Sequence, residues 1–283
     1  MQKEVMLCGK KKRQMFRILM YAFLIGMALI MLVPFVWMIS SSLKLEKDVF
    51  SFPIQWIPED PVWENYVEIW TKVPLLTGFK NTIKLTLCTT ILQLVTSSFA
   101  AYAFAKLEFR GRNTIFLLYI MTISIPWQVF MVPQYRLMTW MGLTDSHLGL
   151  ICMHAFSAMG VFLIRQFYMG IPNELLEAAR IDGMNEYGIW ARIMVPLSKP
   201  AIATLCITSF TSEWNDYMGP LIYISTQGKK TLQLMVRMFN TQYSSNYSQI
   251  MAAATVSLIP ILVLYAFLQR YFVEGVAASG IKG

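Results

Sequence analysis

Long apolar runs without charge alternate along this chain with shorter polar connections. Ile18–Leu43 is the first; Leu85–Ala105, between Lys84 and Lys106, is the second; Asn113–Tyr135, between Arg112 and Arg136, is the third. Leu148–Ile164, between His147 and Arg165, is a shorter fourth. A fifth begins at Pro200, reaches Ser212 and continues through the polar Glu213-Trp214-Asn215-Asp216 into Tyr217–Ser225. The sixth is the C-terminal part of Met238–Gln269, from about Gln249 onward. A hydrocarbon core of ~30 Å takes ~20 apolar residues in helical form. The pattern therefore predicts an all-α integral membrane protein with six transmembrane helices, near 18–42, 85–105, 113–135, 148–165, 200–222 and 249–270. Residues 1–17 form a basic N-terminus, 18–273 the membrane domain and 274–283 a C-terminal tail.

The polar segment between the fourth and fifth runs is organised unlike a simple connection. Glu177–Pro200 reads EAARIDGMNEYGIWARIMVPLSKP. Asn173 is placed to cap a helix opening at Glu174. Glu174 and Glu177 fall in its first turns, where the helix dipole favours acids, and Gly183 supplies a stop. Asn185 then starts a second short helix that ends at Pro196. Leu176, Ala179, Ile189 and Ile193 recur at roughly helical spacing, so this elbow has an apolar face to bury.

Composition supports the membrane assignment. Apolar residues make up 56% of the chain and charged residues 14%, and mean hydropathy is +0.49; soluble domains hold about a quarter charged residues. The net charge of +8 is small for the length and sits on particular loops, which argues against a nucleic-acid partner. Those loops orient the spans instead. Lys10, Lys11, Lys12, Arg13 and Arg17 precede the first run, and Lys106, Arg110 and Arg112 follow the second, whereas the connection after the third holds only Arg136. Both termini and the Glu177 elbow are therefore expected on the cytoplasmic side of a multi-pass cell (inner or plasma) membrane protein. The first run is longer than a signal-peptide core and no small-x-small cleavage site follows it, so it reads as a retained anchor. Cys8 falls in the basic N-terminus, while Cys88, Cys152 and Cys206 fall within spans, where buried small apolar side chains are expected rather than a disulfide framework.

The search for chemistry is mostly negative. The chain has no Gly-rich phosphate loop, no nucleophile-elbow serine motif and no zinc-protease helix motif. His147 and His154, seven apart, have no Cys/His/carboxylate cluster of metal spacing around them, so both are expected in packing or interfacial roles. Work against a gradient must be powered from elsewhere, by an ion gradient or by a partner.

The elbow residues carry a resemblance. Glu177-Ala178-Ala179, three residues, Gly183, nine residues, Ile193, one residue and Val195-Pro196 resemble the EAA loop of ABC importer permeases, with Val195 where the pattern has Leu. WENYVEIW (Trp63–Trp70), EWNDYMGPLIY (Glu213–Tyr223) and the ending GVAASGIKG (Gly275–Gly283) narrow the resemblance to carbohydrate importers of the maltose-permease type. The ending is similar to the GLxAGAVKG tail of the second permease subunit, with Ser279 and Ile281 as departures.

The resemblance implies a type I importer permease fold with a cytoplasmic coupling-helix elbow, and no catalytic activity in this chain. It implies a heterodimer with a second permease subunit, a dimeric cytoplasmic ABC ATPase, an extracytoplasmic sugar-binding protein and surrounding lipid. ATP and Mg would be used by the ATPase, with no cofactor bound here. Glu177, Ala178, Ala179, Asp182, Gly183, Ile193 and Pro196 would couple to the ATPase; Ala178 and Ala179 would permit close approach and Gly183 the bend. Ser279, Gly280, Lys282 and Gly283 would dock between ATPase subunits, or form a disordered tail.

Glu213, Trp214, Asn215, Asp216 and Tyr217 read two ways. They line a sugar pathway, with the rings of Trp214 and Tyr217 suited to pyranoses and Glu213 and Asp216 sharing a helix face. Alternatively the fifth span ends near Ser212, and they lie at the outer interface or bond to neighbouring helices. The outer loop around WIPEDPVWENYVEIW rests on the membrane surface, meets the sugar-binding protein or acts as a structural cap. An autonomous ion-coupled carrier and a membrane scaffold are the readings from other classes; no internal repeat supports the carrier.

Overall fold

Each apolar run becomes helix. The computed structural model describes residues 2–240 and 246–280, with side chains for 13–240 and 246–271. Among the described residues the helices are, in order, α1 (Gln2–Ser42), α2 (Glu64–Lys72), α3 (Leu75–Lys106), α4 (Arg112–Met121), α5 (Trp127–Trp140), α6 (His147–His154), α7 (Ala158–Met169), α8 (Glu174–Ile181), α9 (Glu186–Ile189), α10 (Val195–Leu197), α11 (Lys199–Trp214), α12 (Met218–Tyr223), α13 (Leu232–Arg237) and α14 (Tyr247–Gly280). The chain divides into two units, one of Met1–Lys72 with Phe239–Val256 and one of Val73–Met238 with Ser257–Gly283.

In the first unit α1 supplies an apolar stretch, Arg13–Ser42, whose flanks are bare of packing within the chain. A helix apolar all round needs lipid or protein to cover it. Among its described side chains the enclosed ones lie at its end, where Ser40, Ser41, Ser42 and, just beyond, Lys44 are buried. There α2, the amphipathic helix expected from WENYVEIW, folds back: Asn65 Nδ2 donates to the carbonyls of Ser42 (2.9 Å) and Lys44 (3.0 Å). Those carbonyls are left without partners by the end of α1, so Asn65 acts as a cap supplied from another helix. The start of α14 joins the same knot, with Ser248 N donating to Glu46 (3.0 Å) and Gln249 Nε2 to Glu68 (2.6 Å).

In the second unit α3 is the central strut. Its buried face runs Thr82, Thr86, Thr89, Thr90, Gln93, Ser97, Ser98, Ala101 and Tyr102, a stripe of small and polar residues at helical spacing. Helices in lipid gain little from burying Leu against Leu, and small residues let them approach closely. Gly160 of α7 sits at one such close approach. A Cβ there would stand 2.6 Å from Ser97 Oγ of α3 and 3.0 Å from the methyls of Leu205 of α11.

Three expected spans stand as single helical stretches long and apolar enough to cross a membrane: Arg13–Ser42, Leu75–Lys106 and Tyr247–Tyr271. The other three are bent pairs. The third expected run breaks by 100° between Arg112–Ser124 and Trp127–Trp140, at the extended Ile125 and Pro126. The fourth breaks by 42° between α6 and α7. Its freed carbonyls are taken by α3, where Gln93 Nε2 donates to His154 O (2.7 Å) and Thr96 Oγ1 to Ala155 O (2.9 Å). Ser157 Oγ restarts the helix by accepting from Gly160 N (3.0 Å). The fifth follows the elbow across an 81° bend. Boundaries differ as well: α3 opens at Leu75, ahead of the expected 85, and α14 runs to Gly280, so residues 274–280 continue a helix instead of forming a separate tail. Cys88 and Cys152 are exposed rather than buried, since they lie on the sides of their helices away from the chain's own core.

Between α5 and α6, Asp145 holds φ 50°, a left-handed position that Asp and Asn tolerate best after Gly. Its carboxylate accepts from Ser225 N (3.0 Å), Thr226 N (2.9 Å), Thr226 Oγ1 (2.5 Å) and Lys229 Nζ (3.0 Å). The bonds from Thr226, then Lys229, hold it far below the usual carboxylate range. A depressed carboxyl pKa stabilises the fold above the unfolded value, ~3.9, and that contribution fades as pH falls below it. Asp145→Asn keeps the backbone conformation and is expected to melt below wild type at pH 7, with the gap closing as pH is taken below ~4; thermal unfolding at both pH values checks it.

Candidate functional site

The elbow is held by a complete helix stop. Met184 N donates to Ala179 O (2.9 Å) and Gly183 N to Arg180 O (3.0 Å) with Gly183 at φ 79°, the paired bonds of a Schellman motif. A residue with a Cβ would be strained at that φ, so glycine is the residue that lets α8 end and the chain turn. Asn185 caps α9 as expected, its Oδ1 accepting from Gly188 N (2.8 Å). Asn173 does not cap α8: its Oδ1 accepts instead from Lys106 Nζ (2.7 Å), because a charge-assisted bond outcompetes a neutral cap. The second arm also continues past Pro196 to Leu197, through a π-helical turn at Trp190–Met194. The wider turn shifts the inward positions, so Met194 is fully buried and Ile193 only partly.

The two faces of the elbow are sharply different. Leu176, Ala179 and Ile189 are buried in one core with Val161, Ile164 and Tyr168 of α7 and Ala101 and Tyr102 of α3. Ala179 therefore packs inward and cannot meet a partner, contrary to the role expected of it; at about 100° per residue, only Ala178 of the pair can point outward. Glu177, Ala178, Asp182, Gly183 and Pro196 are exposed. Among them stand Ile181, 86% exposed, and Tyr187, 70% exposed.

A set of polar bonds that the sequence does not announce ties the elbow to α3. Glu186 accepts from Arg180 Nε (2.8 Å) and Nη2 (3.3 Å) of the first arm and from the Tyr102 hydroxyl of α3. Arg180 foremost, and then Tyr102, hold the Glu186 carboxyl below its ordinary range. Trp190 stacks on Phe99 of α3 (ring centroids 3.9 Å apart) and donates to Ser98 Oγ (2.9 Å), which is bonded to the Tyr168 hydroxyl (2.8 Å). Lys106 at the end of α3 also donates to Ile171 O (2.6 Å). A force applied to the elbow is thus delivered to α3 and α7 through packed rings and charge-assisted bonds.

The second candidate cluster surrounds Glu213. Its Oε2 lies 2.8 Å from His154 Nδ1 and its Oε1 accepts from Gln93 Nε2 (3.1 Å), joining α11, α6 and α3. A carboxylate oxygen accepts, so this bond is one that Nδ1–H of His154 donates. Glu213 and Asp216 do not share a helix face, because α11 ends at Trp214; Asp216 lies beyond it and accepts from Gly219 N (3.2 Å) at the start of α12. Both line a cavity of about 20 Å³ with His154, Thr82, Thr89 and Thr231. Trp214 is fully buried, its Nε1 donating to Ser257 O (3.0 Å) and its ring stacked on Phe210 and edge-on to Phe79. That packing removes it as a platform for a sugar ring. Asn215 is exposed and Tyr217 half-buried. Ser279 and Gly280 close α14, while Lys282 and Gly283 lie outside the described residues.

The chain is 33% identical over 278 residues to the arabinooligosaccharides transport system permease protein AraQ of Halalkalibacterium halodurans, covering 96% of this chain and 100% of that protein. It is 34% identical over 255 residues to the melibiose/raffinose/stachyose import permease protein MelC of Bacillus subtilis, covering 89% and 91%. A chain from the crystal structure of a bacterial ABC transporter that imports the acidic polysaccharide alginate superposes with a TM-score of 0.80 at 26% identity, over 92% of this chain and 97% of that one. The description "binding-protein-dependent transport system inner membrane component" matches residues 93–278, a stretch that holds both candidate clusters. The chain belongs to the binding-protein-dependent transport system inner membrane component family.

Proposed function

We propose that this chain forms half of the membrane pathway of an ATP-driven importer of a sugar or oligosaccharide, and that its elbow seats on a cytoplasmic ATPase. The observation that carries the reading is the two-faced elbow: one face is locked into α3 and α7, while the other offers Ile181 among Glu177, Ala178, Asp182 and Gly183. A solvated loop has no reason to expose a large aliphatic on a capped, braced helix; a docking helix does. Relatives named for arabinooligosaccharides and for melibiose, raffinose and stachyose support a carbohydrate cargo.

In this reading the termini and elbow are cytoplasmic, the six spans are three unbroken helical stretches, two bent pairs and α11 where it follows the elbow, and Ile193 and Pro196 shape the second arm. A second permease subunit completes the pathway, a sugar-binding protein delivers cargo from outside, and ATP and Mg act on the ATPase. ATPase closure pushes the elbow, and the Glu186 and Trp190 contacts pass that movement to α3. Glu213, Asn215, Asp216 and Tyr217 lie toward the pathway, and Ser279, Gly280, Lys282 and Gly283 approach the ATPase.

The test is purification of the tagged chain from membranes of cells making its own partner subunits, followed by nucleotide hydrolysis and uptake in vesicles. Co-purified ATPase and uptake that stops on ATP depletion are expected. Absence of ATPase, with uptake persisting in energised vesicles that lack ATP, overturns the reading in favour of an ion-coupled carrier.

A further inference from the structure

The segment after α1 is apolar, exposed and fixed in depth. Phe50–Ile57 reads FSFPIQWI, without a charge, and Glu59 and Asp60 follow at once. Phe50 is 63% exposed, Phe52 93%, Ile54 50%, Trp56 47% and Ile57 85%. Neither the coupling role of the elbow nor the Glu213 cluster uses these residues.

Two contacts set the height of this segment against the first span. From Ile18, the first residue past Arg17, to Ile39, α1 rises about 33 Å at ~1.5 Å per residue, enough to cross a ~30 Å hydrocarbon core. The serines Ser40, Ser41 and Ser42 then stand at its far boundary. Ser40 Oγ donates to Gln55 O (3.4 Å), which places residue 55 at that boundary. Phe50 lies against Trp37 (centroids 6.0 Å apart), nearly a turn deeper along α1. The flank of α1 below is bare, with Val33, Phe35, Val36 and Ile39 each about half exposed. An uncharged aromatic and aliphatic strap at the depth where a bare span leaves the bilayer has the composition of an interfacial anchor.

We propose that Phe50–Ile57 inserts its apolar side chains into the headgroup–acyl boundary of the leaflet opposite the N-terminus. Its ligand is lipid. The strap fixes the depth at which α1 emerges and holds the polar knot of Ser42, Asn65 and Tyr66 at the water edge, with Glu59 and Asp60 in solvent. The inference rests on α1 being a span, and the experiment separates the two claims.

Single-cysteine variants Leu29→Cys, Phe52→Cys, Ile57→Cys and Glu59→Cys are made in the full chain with Cys8, Cys88, Cys152 and Cys206 replaced, spin-labelled, and reconstituted in liposomes with the subunits that co-purify. Collision of each nitroxide with oxygen and with a water-soluble nickel chelate is then measured. Leu29, mid-span and exposed, is expected to favour oxygen strongly and Glu59 the chelate. Phe52 and Ile57 are expected to show an oxygen-to-nickel ratio severalfold above Glu59 and below Leu29. A nickel-favoured signal at both positions places the strap in water and overturns the anchor. Shielding from both reagents means a protein covers it, which overturns lipid as the ligand. A nickel-favoured Leu29 removes the span itself, and the anchor with it.

Discussion

Replacing His154 with Leu is expected to destabilise the chain by about 3 kcal/mol, whereas Glu213→Leu costs about 1–1.5 kcal/mol and the double variant lies within about 1 kcal/mol of wild type. The asymmetry follows from which group is stranded. Without His154, Glu213 keeps only Gln93 as a donor, on a side chain 13% exposed within the apolar helices. A carboxylate there is left with a single hydrogen bond. Without Glu213, the imidazole loses one hydrogen bond. Removing both leaves Gln93 still donating to His154 O, which is backbone and survives the substitution. Thermal unfolding of the four proteins in lipid nanodiscs measures the cycle. A double variant as damaged as the sum of the singles would show that the two side chains are not coupled.

Apolar helix was legible in the sequence because charge is excluded from lipid-facing helix: Lys106 ends α3 and Arg112 opens α4, whereas Lys84 and Arg165 fall inside α3 and α7 and mark no ends. The bends were not legible, and the prolines show why. Pro34, Pro133 and Pro260 sit inside helices while Pro126 stands at a 100° break, so proline alone does not say where a span breaks. The break between α6 and α7 survives because Gln93 and Thr96 of α3 bond the carbonyls it frees, a pairing between residues about 60 positions apart that local pattern cannot express. The same holds for the site. The Asn185 cap, the Gly183 stop and the buried Leu176, Ala179 and Ile189 were readable because each follows from local sequence. The Glu186, Arg180 and Tyr102 knot and the His154–Glu213 pair were not, since each joins different helices. A signal for the pair did exist: a histidine and a glutamate each interrupt an apolar run, and a polar group in lipid needs a partner. Asn173 was misread because the competitor for its cap, Lys106, comes from the end of α3. Ala179 packs inward while Glu177 and Ala178 are exposed because three consecutive helical residues span about 200° of arc, so the EAA triplet cannot form one surface.

The outer face of the elbow is where a substitution should separate coupling from folding. Ile181→Asp is expected to reduce co-purified ATPase at least tenfold while leaving the melting temperature of the chain nearly unchanged. Ile181 is 86% exposed in the chain alone, so exchanging it alters stability by no more than about 0.5 kcal/mol. In a docked complex the same side chain would be buried, and an aliphatic anchor replaced by a charge without a partner loses 2 kcal/mol or more of binding, roughly a factor of 30. Glu177 and Asp182 stand nearby, so a further acid also adds like charge to a face that already carries two. Ile181→Leu is the control, keeping volume and apolarity, and should retain most of the ATPase. Gly183→Val makes the contrast: at φ 79° a β-branched residue is strained by about 1–3 kcal/mol, so it should lower both the melting temperature and the ATPase yield by deforming the turn. Ile181→Asp at full ATPase yield would place the docking surface elsewhere and leave the exposed isoleucine without a role. Loss in Ile181→Asp with Ile181→Leu retained, at constant melting temperature, assigns the contact to that one side chain, because the brace of Glu186, Arg180 and Tyr102 behind it is untouched.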